Sequence, residues 1–333
     1  QGFHWDNWEP VWNMKESFEP AVLKAFQKGV ANIAQRMIYA NGLELVLSNG
    51  RTTVPLNLYH AYLITGDAKL KDLSGRYLRR MVNAEDGRHS GGSKSGYFRE
   101  HFAADGGYCT YPLYQLGRLY NISGDQEVFD AVDRLCRWMC YVAMPDGDRW
   151  TGPTSWNARI AASSAEHIWG NGYKYIASKS EWAARIYRQM HQGKEYFGLA
   201  DPEYEAGQAV PDKKTHILTQ LTRNIPAAKP LPAESKTPFF EDIGEGHEFF
   251  AVRKGNYYAL AYAGNRAPFW MEIALGGQNS FNGGGIAGLY VQGVGTIILG
   301  RVNKEYGWPA DQWNEFAIPV AAGEMSDGRV FNT

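Results

Sequence analysis

The sequence predicts an α+β multidomain protein, with an N-terminal α/α toroid-like repeat of helical hairpins followed by a C-terminal antiparallel β-sandwich. A chain of 333 residues is long enough for two domains. Three observations lead to this prediction. A helical-hairpin pattern repeats within residues 1–198, and a proline-rich linker or crossing segment covers residues 199–238. Apolar residues then alternate with a period of two in residues 239–333.

The helical hairpins are marked by a repeated Gly-Asp turn. The motif YLITGD at residues 62–67 returns as YNISGD at residues 120–125. In each copy an apolar-periodic helix ends at the glycine, and the aspartate is a good N-cap for the next helix. An Arg-x-x-Arg-x-Met pattern follows both copies and appears again at residues 185–190. Such repeats are typical of an α/α toroid or a solenoid, because each hairpin completes its core against its neighbours.

Two more helices are predicted over residues 20–39 and 156–169. The C-terminal part has the pattern of short strands joined by tight turns. Strands are predicted over residues 248–253, 257–262, 269–273, 286–291 and 296–299. Because consecutive short strands with tight turns run in opposite directions, the sheet should be antiparallel and its architecture a sandwich.

Composition narrows the function classes. Lysine and arginine (34) balance aspartate and glutamate (35), and a net charge of −1 argues against a broad nucleic-acid or membrane-surface contact. No segment is apolar over the roughly 18 residues that a membrane span needs. The three cysteines have neither disulfide nor zinc spacing and should be buried thiols. The chain opens with Gln1 rather than Met, so we expect that an upstream segment is missing, either a removed export signal or a part cut off at the boundary chosen for expression. With the first explanation, we expect a secreted or periplasmic protein.

Aromatic residues are unusually abundant at 14% of the chain, and the 11 tryptophans exceed what packing requires. This abundance is compatible with aromatic stacking on sugar rings and equally with packing in a core. A dense aromatic and amide cluster at the start holds Trp5, Asn7 and Trp8, which could form a sugar platform or a hydrophobic staple for the first helix. Asn57 and His60 stand at i and i+3 of one predicted helix, so both could point into one cleft.

The strongest candidate for a functional segment is the Gly-rich stretch 96–111, directly before a predicted helix. Functional residues concentrate on loops that a rigid scaffold positions. This stretch combines an arginine, a histidine and several tyrosines, namely Tyr97, Arg99, His101, Tyr108 and Tyr111.

The order of three motifs resembles the toroid polysaccharide lyases, which include the hyaluronate and chondroitin lyases and the heparinase II/III-like group. The motifs are the Asn7-Trp8 pair, Asn41 at a helix end, and an Asp-Gly loop from Asp105 to Tyr111. Residues 249–258 and 284–290 are similar to the β-sandwich domain of that family. The resemblance covers most of the chain, and it implies cleavage of a uronic acid-containing polysaccharide by β-elimination.

The resemblance also implies roles for individual residues. Tyr111, which stands where the hyaluronate lyases carry a histidine, would be the base and acid. Tyr108 and Tyr114 would be the alternative candidates for this role. His101 would be a second base or a neutraliser, and Arg99 and Asn41 would neutralise the uronate carboxylate. The substrate-binding set would be Trp5, Asn7, Trp8, Asn57, His60, Tyr97 and Tyr114.

Two other function classes stay open. An α/α-toroid glycoside hydrolase acting on unsaturated uronate oligosaccharides would use carboxylates, and Glu100, Asp105 and Glu166 are available. A non-catalytic glycan-binding protein would bind without turnover. No cofactor and no metal in the site is expected, although a divalent cation could support the fold. The expected partner is a polysaccharide or oligosaccharide, with no nucleic acid and no membrane insertion.

Overall fold

A helical N-terminal part and an antiparallel sheet make up the structure, as the α+β prediction expects. The computed structural model describes residues 8–40, 48–82, 91–100, 103–104, 109–145, 172–191, 225–227, 229–263, 285–299, 322–324 and 330–332. The α-helices within these ranges are α1 (Trp8–Met14), α2 (Pro20–Ala40), α3 (Ser48–Thr65), α4 (Ala68–Val82), α5 (Thr110–Ser123), α6 (Gln126–Val142) and α7 (Glu181–His191). The strands are β1 (Gly91–Gly92), β2 (Phe98–Glu100), β3 (Ala103–Ala104), β4 (Phe239–Asp242), β5 (Phe249–Lys254), β6 (Tyr257–Tyr262), β7 (Gly285–Val291), β8 (Gly295–Leu299), β9 (Ala322–Glu324) and β10 (Val330–Asn332).

Both Gly-Asp turns form as predicted. Gly66 and Gly124 have φ values of +79° and +65°, the left-handed region in which a residue without Cβ ends a helix. Asp67 and Asp125 each accept a hydrogen bond from the backbone N–H two residues later, at 3.0 and 2.8 Å. The pairs α3–α4 and α5–α6 are therefore helical hairpins, and α3 also packs against α5.

Alanine substitutions should distinguish the glycine of a turn from a glycine inside a helix. We expect Gly124→Ala to lower the free energy of unfolding by about 1 kcal/mol, because a Cβ is strained in the left-handed region. Gly29→Ala in α2, where a Cβ would meet nothing within 4 Å, should raise it by about 0.5–1 kcal/mol, since alanine favours a helix more than glycine does. Urea unfolding followed by circular dichroism measures both, and shifts of the same sign would contradict this account.

The strands β4 to β8 form a five-stranded antiparallel sheet in which neighbours in sequence are neighbours in space. Four of the five predicted strands, over residues 248–253, 257–262, 286–291 and 296–299, are confirmed. The fifth, over residues 269–273, and the helix predicted over residues 156–169 lie outside the described residues. Two smaller antiparallel sheets contain β1–β2–β3 and β9–β10.

The helical part and the sheet share one buried core. Tyr97 next to β2, Trp138 of α6 and Phe249 of β5 are fully buried, and their ring centroids lie 5.4, 5.5 and 5.7 Å apart. The predicted domain boundaries at residues 198 and 238 stay a prediction. The shared rings mean that the parts on either side of the crossing segment pack closely against each other.

The polar contacts between the two parts are equally close. Arg137 and Tyr141 of α6 both donate hydrogen bonds to the carboxylate of Glu241 in β4. The hydroxyl of Tyr258 in β6 donates to the backbone oxygen of Tyr141 at 2.6 Å. These contacts fix the orientation of the sheet on the second helical hairpin.

Residues Phe98–Glu100 of the Gly-rich stretch 96–111 form the strand β2, which corrects the prediction of a loop. β2 pairs with β1 through Arg99 and Gly91, and with β3 through Arg99 and Ala104. A strand of three residues is too short to show an alternating pattern, so the sequence could not indicate it. Tyr111, predicted at the end of the loop, belongs to the first turn of α5.

All three cysteines are buried and none forms a disulfide, as predicted. Burial raises the pKa of the Cys136 thiol well above its ordinary value and also raises that of Cys140, so both stay protonated. Among the helices that the structure describes, none is long and apolar enough to cross a membrane.

Candidate functional site

The helices α3 and α5, which pack together, carry most of the buried polar side chains that the structure describes. Of the 14 buried polar or charged residues in the described ranges, eight lie on these two helices. Burying a polar group costs free energy unless a bonding partner offsets it, so such a concentration indicates a site rather than an ordinary core. The eight are Arg51, Thr52, Thr53, Asn57 and His60 on α3, and Thr110, Gln115 and Arg118 on α5.

One face of α5 carries four of the relevant side chains, and we call it the polar face of α5. Tyr111, Tyr114, Gln115 and Arg118 are spaced i, i+3, i+4 and i+7, which places them on one side of the helix. The two tyrosines are half-buried. The guanidinium of Arg118 lies over the ring of Tyr114, 4.8 Å from its centroid, and Tyr111 stands two turns before Arg118 on the same face.

Neighbouring helices hold this polar face in place. The hydroxyl of Thr52 on α3 donates a hydrogen bond to Oε1 of Gln115. Arg118 donates through Nη2 to Oε2 of Glu9 on α1, and the two side chains are only 8% and 24% exposed. Charge-assisted hydrogen bonds of this kind are stronger than neutral ones, so α1 and α3 fix the rotamers of α5 from two sides.

Asn57 is a side chain for which the fold provides no partner. It is 1% exposed, and neither Nδ2 nor Oδ1 has a hydrogen-bond partner in the described part of the chain. An unsatisfied buried amide costs about 1–3 kcal/mol, and a native protein that retains one needs a reason. His60, one turn later on the same helix face, is 2% exposed, so the predicted pair does lie together on α3.

The unpaired amide leads to a prediction about stability. We expect Asn57→Leu to leave the free energy of unfolding unchanged or to raise it by about 1 kcal/mol, because an apolar side chain of similar size removes the desolvation cost. The matched variant Gln115→Leu should lower it by about 1 kcal/mol or more, because it removes the acceptor that Thr52 uses. Chemical unfolding of both variants checks this, and a large loss for Asn57→Leu would mean that the amide is bonded in solution.

Trp8 is buried rather than displayed on a surface. It is 8% exposed and belongs to the apolar cluster of α1 to α4, together with Val30, Val54 and Leu58. This position agrees with the alternative that the aromatic cluster staples the first helix. Its role as a sugar platform stays a prediction, and a sugar could reach only the small exposed part of the ring.

Arg99 lies away from the polar face, at the contact with the sheet. It forms an ion pair with Glu248 at 2.8 Å and donates to the backbone oxygen of Gly92 at 3.3 Å. Burial lowers the pKa of the guanidinium, but the neighbouring Tyr97 and Glu248 outweigh this effect, so the pKa is raised and the charge is kept. Glu248 compensates that charge in a pair whose side chains are only 16% and 13% exposed, so Arg99 is a weaker candidate than Arg118 for binding a substrate carboxylate.

Tyr97 has the surroundings of a core residue. It is fully buried between Trp138 and Phe249. Burial raises the pKa of its phenol well above the ordinary value, and Tyr262 and Glu248 add to this shift. Because its ring is part of the aromatic core that joins the helices to the sheet, we leave Tyr97 out of the site that we propose.

The remaining predicted residues lie outside the described part of the chain, and their roles stay predictions. Only the backbone of Glu100, in β2, is described. The residues outside are Trp5, Asn7, Asn41, His101, Tyr108, Asp105 and Glu166.

Sequence reasoning missed Arg118, Gln115, Thr52 and Glu9. The spacing of Gln115 and Arg118 relative to the two tyrosines was visible as one helix face and could have indicated the first two. Glu9 is 109 residues away from Arg118, and no sequence pattern connects them. The packing of α1 against α3, and of α3 against α5, brings Glu9 to α5.

In the part of the chain that the structure describes, no group of three or more His, Cys, Asp and Glu side chains is placed to hold a metal ion. No protein-family model matches the chain, and no curated protein matches it. What the site does is therefore inferred from its own chemistry.

Proposed function

We propose that the protein is a polysaccharide lyase that cleaves a uronic acid-containing glycan by β-elimination and leaves an unsaturated uronate end. The observation that carries the proposal is the polar face of α5, where half-buried Tyr111 and Tyr114 share one side of the helix with the buried Arg118, whose guanidinium lies over the ring of Tyr114. The buried and unpaired amide of Asn57 on the adjacent helix supports it, because it offers a donor and an acceptor to a ligand.

β-Elimination needs groups of these kinds. A base removes the proton from C5 of the uronate, the electron pair of that bond forms the C4–C5 double bond, and the C4–O bond breaks. The leaving oxygen then takes up a proton from an acid. A cation or amide beside the carboxylate stabilises the negative charge that develops in between.

Tyr111 is the base and acid that we propose, with Tyr114 beside it. The ordinary pKa of tyrosine is about 10, so a phenol acts as a base near neutral pH only where a cation favours its ionised form. Arg118 lies over the ring of Tyr114 and supplies such a charge on the helix face that Tyr111 shares. Asn57 and His60, on the neighbouring helix, are the groups that we propose for the uronate ring and its substituents.

The proposed architecture is an α/α toroid-like repeat followed by a β-sandwich. The packing of α3 against α5, which joins the two Gly-Asp hairpins, supports the first part. The five-stranded sheet supports the β-sandwich, because apolar side chains lie on its outer face as well. Phe240 is 71% exposed on that face, and its ring stacks on Phe250 with the centroids 5.9 Å apart. A sheet that is apolar on both faces is typical of a layer that receives a second layer. A substrate of this kind is met outside the cytoplasm, so we propose a secreted or periplasmic location.

The test is an assay of the purified protein on a panel of alginate, hyaluronan, chondroitin, heparan, ulvan and glucuronan. We expect ultraviolet absorbance to rise with at least one polymer as C4–C5 double bonds form. A hydrolase acting on unsaturated oligosaccharides would lower the absorbance, and a glycan-binding protein would retain a polymer without changing it. No rise with any polymer of the panel would overturn the proposal.

A further inference from the structure

The protein places one of its own carboxylates on the cation of the site. Glu9 pairs with Arg118, and Arg118 covers the ring of Tyr114. The proposed function requires a substrate carboxylate close to the same tyrosines. Glu9 therefore lies where a uronate carboxylate would bind.

We propose that Arg118 is the carboxylate-binding residue of the site, and that Glu9 occupies its place until the carboxylate of a uronate displaces it. This inference rests on the proposed function and names the part of the substrate that the site recognises. The ligand class is a hexuronic acid, either free or as a unit of a glycan. Glu9 accepts a hydrogen bond from Nη2 of Arg118. The planar guanidinium fits a carboxylate of either kind, so the exchange keeps the charge balance.

Burial favours this exchange over a permanent ion pair. The Arg118 side chain is 8% exposed, so its charge needs an anion at all times. The Glu9 side chain is 24% exposed and lies in the first turn of α1, so it is the member of the pair that is closer to water. In the proposed exchange, the buried Arg118 stays in place and the more exposed Glu9 leaves.

The other buried arginine that was predicted for this role is less suited to it. Glu248 holds Arg99 at 2.8 Å, and both side chains are largely buried, at 16% and 13% exposure. Neither member of that pair can move into water without breaking the contact between β2 and the sheet. Among the ion pairs in the described ranges, the Glu9–Arg118 pair is the one that lies at Tyr114.

The test is the affinity of the full chain for D-glucuronate, measured by titration calorimetry with D-glucose as the neutral control. We expect Glu9→Gln to bind glucuronate roughly fivefold more tightly than the wild type, because the competing carboxylate is removed and a partly exposed ion pair is worth about 1 kcal/mol. Arg118→Gln should lose glucuronate binding. The matched control Glu16→Gln removes the same charge from the exposed turn after α1 and should leave the affinity unchanged.

A melting curve with and without glucuronate gives a second readout. Glu9→Gln should melt at a lower temperature than the wild type without ligand, and glucuronate should raise its melting temperature by more than it raises that of the wild type. If Glu9→Gln does not fold, Glu9→Asp keeps the charge but withdraws the carboxylate by one methylene, and it should also bind glucuronate more tightly. Unchanged or weaker binding in the folded variants would overturn the inference.

The outcomes separate this inference from the proposed function, because binding of glucuronate needs no turnover. Unsaturated product from the wild type without tighter binding by Glu9→Gln would refute the carboxylate exchange alone. Tighter binding without product from any polymer would refute the lyase and leave the uronate site in place.

Discussion

Tyr111→Phe should lower kcat on the responsive uronate polymer by about 10²–10⁴-fold, the range that a single general acid or base contributes. Phenylalanine keeps the ring and removes only the hydroxyl, so the variant should fold like the wild type. KM should change little, because the lost interaction belongs to the proton transfer rather than to substrate binding. The rate of increase in ultraviolet absorbance under saturating polymer measures the effect.

The matched control for this variant is Tyr120→Phe, the same change on the same helix. Its hydroxyl accepts a hydrogen bond from Nζ of Lys179 at 2.7 Å, and its ring packs against Phe129. Tyr120 lies outside the polar face of α5, so kcat should stay close to that of the wild type. Full activity in Tyr111→Phe would remove Tyr111 from the mechanism, and equal losses in both variants would indicate damage to α5 instead.

Phe249→Ala should lower the free energy of unfolding by about 3–5 kcal/mol, as expected when a fully buried aromatic ring leaves a cavity. Phe249 touches rings from both parts of the chain, with centroids 5.5 Å from Tyr97, 5.7 Å from Trp138 and 4.8 Å from Tyr262. The loss should therefore appear as one transition in which helix and sheet signals fall together. Denaturant unfolding followed by far-ultraviolet circular dichroism and by tryptophan fluorescence measures it.

Phe240→Ala is the matched control, since it deletes the same ring from the opposite face of the same sheet. Phe240 is 71% exposed, and the change should stay within about 0.5–1 kcal/mol. Two separate transitions, with only the sheet weakened by Phe249→Ala, would mean that the two parts unfold independently. Such a result would contradict the shared core.

The elements with strong local signals were predictable from the sequence. Gly66 and Gly124 end their helices because a residue without a Cβ adopts the left-handed region easily. This cause is local, so the sequence pattern contains it. The hairpin β5–β6 follows from alternation around a turn that contains Gly255. In these cases the local chemistry and the final structure agree, so no tertiary information was needed.

The site was less predictable because its contacts connect distant residues. Tyr111 and Tyr114 were identified from the density of tyrosines, and Asn57 with His60 from helical spacing. The partner of Arg118 comes from the other end of the helical part, and the enclosure of Tyr97 depends on Phe249 of the sheet. Burial of this kind is a property of the packed molecule, and a residue pattern along the chain does not contain it.

Two adjacent residues of the short helix α1 make contacts of different kinds. Trp8 packs into the apolar cluster of α1 to α4, and Glu9 reaches the cation of the proposed site. A displacement of the indole would move the carboxylate as well, because one turn of helix carries both. The strength with which a sugar acid competes for Arg118 would then depend on how well a tryptophan fits its cavity, even if that tryptophan never touches the sugar.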